Sequence, residues 1–164
     1  MILPLLIAIL MLGGLLAWIG GIWNPQFPRW ISLIAVMVNF IITVFLWLDP
    51  STGLSNSTWL IHFELPWIPR FGISFHLALD GLSLLMLLLT FFLGILAVLT
   101  SWKEIQYRIG FFHFNLLWVL AGIAGVFLTM DMFLFYSFWE LMLIPMYFLI
   151  ITWGHENRDR KSVV

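Results

Sequence analysis

The sequence has no cysteine. It can therefore form no disulfide, and it offers neither a thiolate nucleophile nor the usual thiolate ligands of an iron–sulfur cluster. If the chain serves a redox enzyme, the electrons are expected to travel through another chain. Charge is nearly as scarce: Asp, Glu, Lys and Arg make up 9% of the residues and balance to a formal net charge of -1. A soluble domain carries roughly 25% charged residues. No basic face is available for nucleic acid. The sequence also lacks a Gly-rich nucleotide motif beside a strand, a metal-ligand spacing and a serine elbow.

What it has instead is apolar bulk. Hydrophobic residues make up 63% of the 164, with a mean hydropathy of +1.08. A soluble domain has about 45–50% apolar residues, so lipid must be the solvent for much of this chain. A bilayer core of about 30 Å takes roughly 20 apolar residues of helix to cross. Five segments qualify: Ile2–Gly21, Trp30–Leu48, Leu79–Ser101, Gly110–Met130 and Met132–Trp153. They predict an all-α, polytopic membrane helix bundle of about five transmembrane helices. Met1-Ile-Leu-Pro4 lacks the basic stretch of a cleavable signal peptide, so the first run reads as an uncleaved span. Asn24 to Arg29 closes the first hairpin, its Pro25 and Pro28 expected to stop a helix. The last two spans flank a short turn at Asp131 and should form an antiparallel pair. Residues 49–78 read as a folded cap on the membrane surface.

Orientation follows from Lys and Arg, which collect in cytoplasmic loops. Arg29, Lys103, Arg108, Arg158, Arg160 and Lys161 follow the first, third and fifth spans, and Arg70 alone lies in the long loop. The N-terminus and residues 49–78 are thus expected outside, and the other connections inside. Trp18, Trp30, Trp47, Trp102 and Trp153 sit near span ends, where an amphipathic ring favours the headgroup layer. Trp118 and Trp139 fall deeper and read as packing residues. Ala121, Gly122, Ala124 and Gly125 form a small-residue patch that admits a neighbouring helix.

Glu140 stands out. It lies about 13 Å along the fifth helix from Asp131, at 1.5 Å per residue, near the middle of a bilayer. An acid there costs about 2.5–3.5 kcal/mol on insertion scales, and the same span holds no Lys or Arg to offset it. Pro145 frees the carbonyl of Leu141, and Tyr136 and Ser137 lie one turn back. Together these suggest a proton or cation station. The alternative is a protonated glutamate that bonds a neighbouring helix and serves assembly alone. Asp80 follows His76 by four residues, which on a helix would share its face. It also suits a helix N-terminus as a capping acid, as does Asp131. Glu104, beside Lys103, reads as solvated. Only His113 of the four histidines lies inside a span, and a bis-histidine haem needs two.

Several stretches carry a family resemblance. They are Pro66-Trp-Ile-Pro-Arg-Phe-Gly-Ile-Ser-Phe-His-Leu-Ala-Leu-Asp80-Gly-Leu-Ser-Leu-Leu-Met86, Ser101-Trp-Lys-Glu-Ile105 and Asp131-Met-Phe-Leu-Phe135. To these add Phe138-Trp-Glu140-Leu-Met-Leu-Ile-Pro145-Met-Tyr-Phe-Leu-Ile150 and Trp153-Gly-His155. The chain up to His155 resembles the antiporter-like, proton-pumping subunit M family of bacterial NADH–quinone oxidoreductase (respiratory complex I). The resemblance implies the N-terminal part of a fourteen-helix fold with inverted repeats, set in the bacterial inner membrane. It implies that Glu140 pairs with a lysine on a later helix in proton pumping, with Asp80, Glu104, Asp131 and Pro145 as lesser contributors. The chain would then be a non-catalytic, proton-translocating subunit that binds no cofactor itself. NADH, flavin mononucleotide, iron–sulfur clusters and quinone would sit in partner subunits, and other subunits of the membrane arm would flank it. A multi-subunit sodium/proton antiporter or a membrane-bound hydrogenase is the alternative setting, and a passive assembly piece a third.

Residues 1–155 are thus expected to hold helices 1–5, and 156–164 a cytoplasmic tail. Family members continue well beyond a fifth helix, and an inverted-repeat transporter needs both halves, so this piece alone is not expected to conduct protons. Asp159-Arg-Lys-Ser-Val-Val164 matches what a common sequencing-adapter oligonucleotide encodes, which makes the tail's end read as non-native.

Overall fold

A computed structural model of the chain describes residues 1–48, 60–68 and 73–154. The whole tail expected at 156–164, with Arg158, Arg160 and Lys161, lies outside the described residues, as do Arg70 and much of the long loop. Five helices form: α1 (Ile2–Trp23), α2 (Phe27–Leu48), α3 (Gly81–Glu104), α4 (Ile109–Leu128) and α5 (Met132–Trp153). Each is long and apolar enough to cross a membrane. The expected bundle is borne out, with small shifts at the ends. Pro28 does not stop α2 but sits in its first turn, where the missing N–H has no intrahelical partner to lose. α3 begins at Gly81, so His76 and Asp80 do not share a helical face.

His76 lies instead in a β-hairpin, β1 (Ile61–Ile68) with β2 (Ile73–Leu79), paired antiparallel with Glu64 opposite His76 and Phe63 opposite Leu77. The surface cap is therefore partly a two-stranded sheet added to the helices. Alternation in Phe75, Leu77 and Leu79 sets one face of β2 inward. Leu77 and Leu79 are buried among the helices. The register slips between Pro66 and Ile68, the kind of bulge where a proline without an N–H is tolerated in a strand.

The helices run up and down, which gives the bundle two ends. One end carries the hairpin and the α4–α5 turn, joined where Met130 N–H donates to His76 carbonyl at 3.0 Å. The other carries the α1–α2 and α3–α4 turns. There Arg29 Nη2 donates to the Ile105 carbonyl at 3.1 Å, and Trp153 Nε1 donates to the Tyr107 carbonyl at 3.1 Å. Arg29, Lys103 and Arg108 all gather at this second end.

α4 is the axis, touching α1, α2, α3, α5 and β2. Small residues set its distances. A Cβ on Gly21 of α1 would stand 2.8 Å from the Gly110 Cα of α4, and a Cβ on Gly122 would stand 2.7 Å from Met142 Cβ of α5. Gly122 and Gly125 of the patch read from the sequence thus lie against α5, and its Ala121 and Ala124 are fully buried. Ser32, Asn39, Thr43, His113 and Asn115 point inward, while Leu12, Leu16, Ile34, Phe45, Leu82 and Leu85 face outward. Such a surface suits lipid and not water.

Candidate functional site

α5 starts at Asp131, whose carboxylate accepts from the N–H groups of Phe133 at 2.8 Å and Leu134 at 3.2 Å. That is an N-cap: it satisfies donors the helix cannot pair internally. From there the helix lies along α4 with its inner line at Leu134, Phe138 and Pro145, all buried. The Phe138 ring lies over Gly125 and meets Phe75 of the hairpin at 6.4 Å between centroids.

Glu140 lies on the other side of α5. It is exposed and makes no hydrogen bond or ion pair among the described residues. Tyr136 and Ile144, one turn before and after it, are 64% and 58% exposed, and Tyr147, two turns on, is 61% exposed. These share a helical face by their spacing of four and seven. The carboxylate thus sits at mid-span depth on a stripe that the other described residues leave uncovered. In lipid an ionised acid so placed costs roughly 2.5–3.5 kcal/mol or more, which a counter-charge on a further helix would offset.

The other residues expected at the site do not gather around Glu140. Pro145 faces α4 and lines a small cavity of about 180 Å³ with Asn115, Trp118 and Leu141, well round the helix from the glutamate. Ser137 donates to the Phe133 carbonyl at 2.8 Å and is thereby committed to its own helix. Tyr136 does share the face. Tyr147 was not anticipated, although its offset of seven residues from Glu140 was there to be read. Asp80 caps α3, accepting from the Ser83 N–H at 2.7 Å. Hydrogen bonds from the Ser83 side chain and then its backbone hold the Asp80 carboxyl below its ordinary range, burial opposing them weakly. Asp80 and Asp131 both lie at the hairpin end, while Glu104 is exposed at the opposite end. Trp139 is 46% exposed and rests on Phe135 of its own helix, so it packs less than expected. Trp118 packs as expected, its Nε1 donating to the Met11 carbonyl of α1 at 3.3 Å.

Comparison with known proteins bears out the resemblance. No family model matches the chain. NADH-quinone oxidoreductase subunit M of Escherichia coli is 54% identical over 166 residues, a match covering 99% of this chain and 33% of that protein. The Pseudomonas aeruginosa subunit M is 53% identical over 168 residues, with the same coverage of each. Respiratory complex I from Thermus thermophilus with bound NADH contains a chain that superposes with a TM-score of 0.76 at 25% identity. That match covers 96% of this chain and 30% of the other. The chain spans about a third of the length of the curated relatives it matches.

Proposed function

Homology to subunit M of NADH-quinone oxidoreductase along almost its whole length is the premise from which we propose that this chain works within a membrane subunit of that complex, in proton translocation coupled to NADH oxidation by quinone. The observation that carries the proposal is Glu140: an acid at mid-span depth, unpaired among the described residues, on a helix face that none of them covers, in a chain that spans about a third of the length of its relatives. A cationic side chain on a further helix, from the same protein or another subunit, would complete that face. Glu140 would take up and release the proton. Asp80, Asp131 and Pro145 would shape the helices that place it, and Glu104 would sit at the far end. Electron chemistry with NADH, flavin mononucleotide, iron–sulfur clusters and quinone would belong to partner subunits. We assign the chain to the bacterial inner membrane, with the Arg29, Lys103 and Arg108 end cytoplasmic and the hairpin end periplasmic. The antiporter and hydrogenase settings have less support, because relatives at 54% identity are named as subunit M.

The test is Glu140→Gln in the full-length subunit, within the assembled complex in sealed vesicles. Proton uptake per NADH oxidised should fall on the order of tenfold, since a neutral amide keeps the shape but cannot exchange a proton. An unchanged ratio would sink the proposal.

A further inference from the structure

Four buried side-chain atoms find no hydrogen-bond partner among the described residues: Arg29 Nε, Ser32 Oγ, Asn39 Oδ1 and His113 Nε2. They are not scattered. Positions 29, 32 and 39 follow one face of α2, by steps of three and seven. His113 comes from α4, which packs against α2, and like Arg29 it lies in the first turns of its helix at the same end of the bundle. Ser32, Asn39 and His113 are completely buried. The stripe runs from the α1–α2 turn inward for roughly 15 Å at 1.5 Å per residue, about half a bilayer core.

Elsewhere in the bundle, inward polar groups bond their own helix. Thr43 donates to the Asn39 carbonyl at 2.8 Å, Thr90 to Met86 at 2.7 Å, Ser101 to Val98 at 2.8 Å and Asn115 to Phe111 at 2.6 Å. The four atoms are thus an exception with a location. Their chemistry says what is missing. His113 Nδ1 lies 2.8 Å from the Ile109 carbonyl. A carbonyl can only accept, so in the neutral ring Nδ1 carries the hydrogen and Nε2 offers a lone pair. Asn39 gives its amide hydrogen to the Ala35 carbonyl at 2.9 Å, leaving Oδ1 as an acceptor. Arg29 Nε is a donor, and the Ser32 hydroxyl is both. A metal cation is disfavoured beside the guanidinium, and an anion by the two lone-pair acceptors. A small neutral molecule that donates and accepts suits all four.

We propose that this stripe is a water-binding column, in which internal water molecules join Arg29 Nε, Ser32 Oγ, His113 Nε2 and Asn39 Oδ1. Buried waters typically take two to four hydrogen bonds from groups otherwise left unpaired. The bundle then has a hydrated polar path between α2 and α4, open toward the Arg29 end and reaching mid-bilayer. It lies inside the bundle, apart from the outward face of Glu140, and does not depend on the role proposed for that residue.

Pulsed X-ray radiolysis of the full-length subunit in the assembled complex tests this, with water itself as the probe. Radiolysis converts bound water to hydroxyl radical in place, so a buried side chain is oxidised only if water touches it. His113 should be oxidised at a rate comparable to that of His62, which is exposed on the hairpin. Ser32→Val, which replaces the hydroxyl with methyl groups, should cut the rate at His113 severalfold and leave His62 unchanged. An unlabelled His113 in the unaltered protein overturns the proposal without need of any variant. So does labelling of His113 that Ser32→Val does not reduce.

Discussion

α4 and α5 are neighbours of similar length and nearly equal hydropathy, yet they hold opposite positions in the fold. Of the best apolar window in each, 50% is buried in α4 and 17% in α5. The polar residues of α4, His113 and Asn115, point into the bundle, where this chain supplies a carbonyl to each. Three polar residues of α5, Tyr136, Glu140 and Tyr147, point away from it. Water cannot order membrane helices by driving apolar faces together, because lipid is as apolar as they are. Close packing and polar matching decide instead. The described residues enclose α4 and leave most of α5 bare.

The sharpest way to break that comparison is at the seam between the two helices. A Cβ on Gly125 would run into the Phe138 ring; α4 cannot withdraw without opening its contacts with α1 and α2, and α5 cannot withdraw without opening its own contacts with α4. Gly125→Leu in the full-length subunit should cost about 1–3 kcal/mol, the usual range for overpacking, read as an earlier unfolding midpoint in mixed micelles. Ile144→Leu on the outer face of α5 is the matched control. Equal midpoints for the two would mean the seam is looser than its glycines suggest.

The helices themselves were legible in the sequence because span-length apolar runs have few alternatives. The seam was legible too, since Gly122 and Gly125 have little use in a span except close approach. The hairpin was not, although the alternation from Ile73 to Leu79 is plain, because Pro66, Pro69 and Gly72 make the stretch read as an irregular loop. The depth of Glu140 could be counted from Asp131, but its direction could not. Large apolar residues occur on every side of α5, so hydrophobic periodicity alone does not distinguish the face that meets α4. The polar stripe on α2 was overlooked for a related reason: Ser32, Asn39 and Thr43 are individually ordinary in a membrane helix, and only their shared face reveals them.

A smaller effect is expected at the caps. α5 buries little, so it should lean on Asp131 more than α3 leans on Asp80. Asp131→Ala and Asp80→Ala should each cost about 1 kcal/mol, with the first turn of α5 fraying more in amide hydrogen exchange. Asp80 adds a pH dependence. Its folded carboxyl is held below the ordinary value of 3.8, so its contribution is present above that value and is lost as pH falls through the folded one. Asp80→Asn, which still caps, should remove this acid-dependent part. Equal acid sensitivity in Asp80→Asn and the unaltered subunit would rule it out.

The smallest predicted effect is at Glu140. No described residue meets its side chain, so in this chain on its own in mixed micelles Glu140→Gln should shift the unfolding midpoint by less than about 0.5 kcal/mol, as outward substitutions do. In the full-length subunit a cationic partner and a passive hydrogen bond would both be weakened, at a cost of about 1.5–3 kcal/mol or more, so proton uptake decides between them. A stability loss with uptake intact would make α5 a second α4, completed by structure alone. Uptake lost along with it would mean that this face of α5 is maintained for a charge that moves.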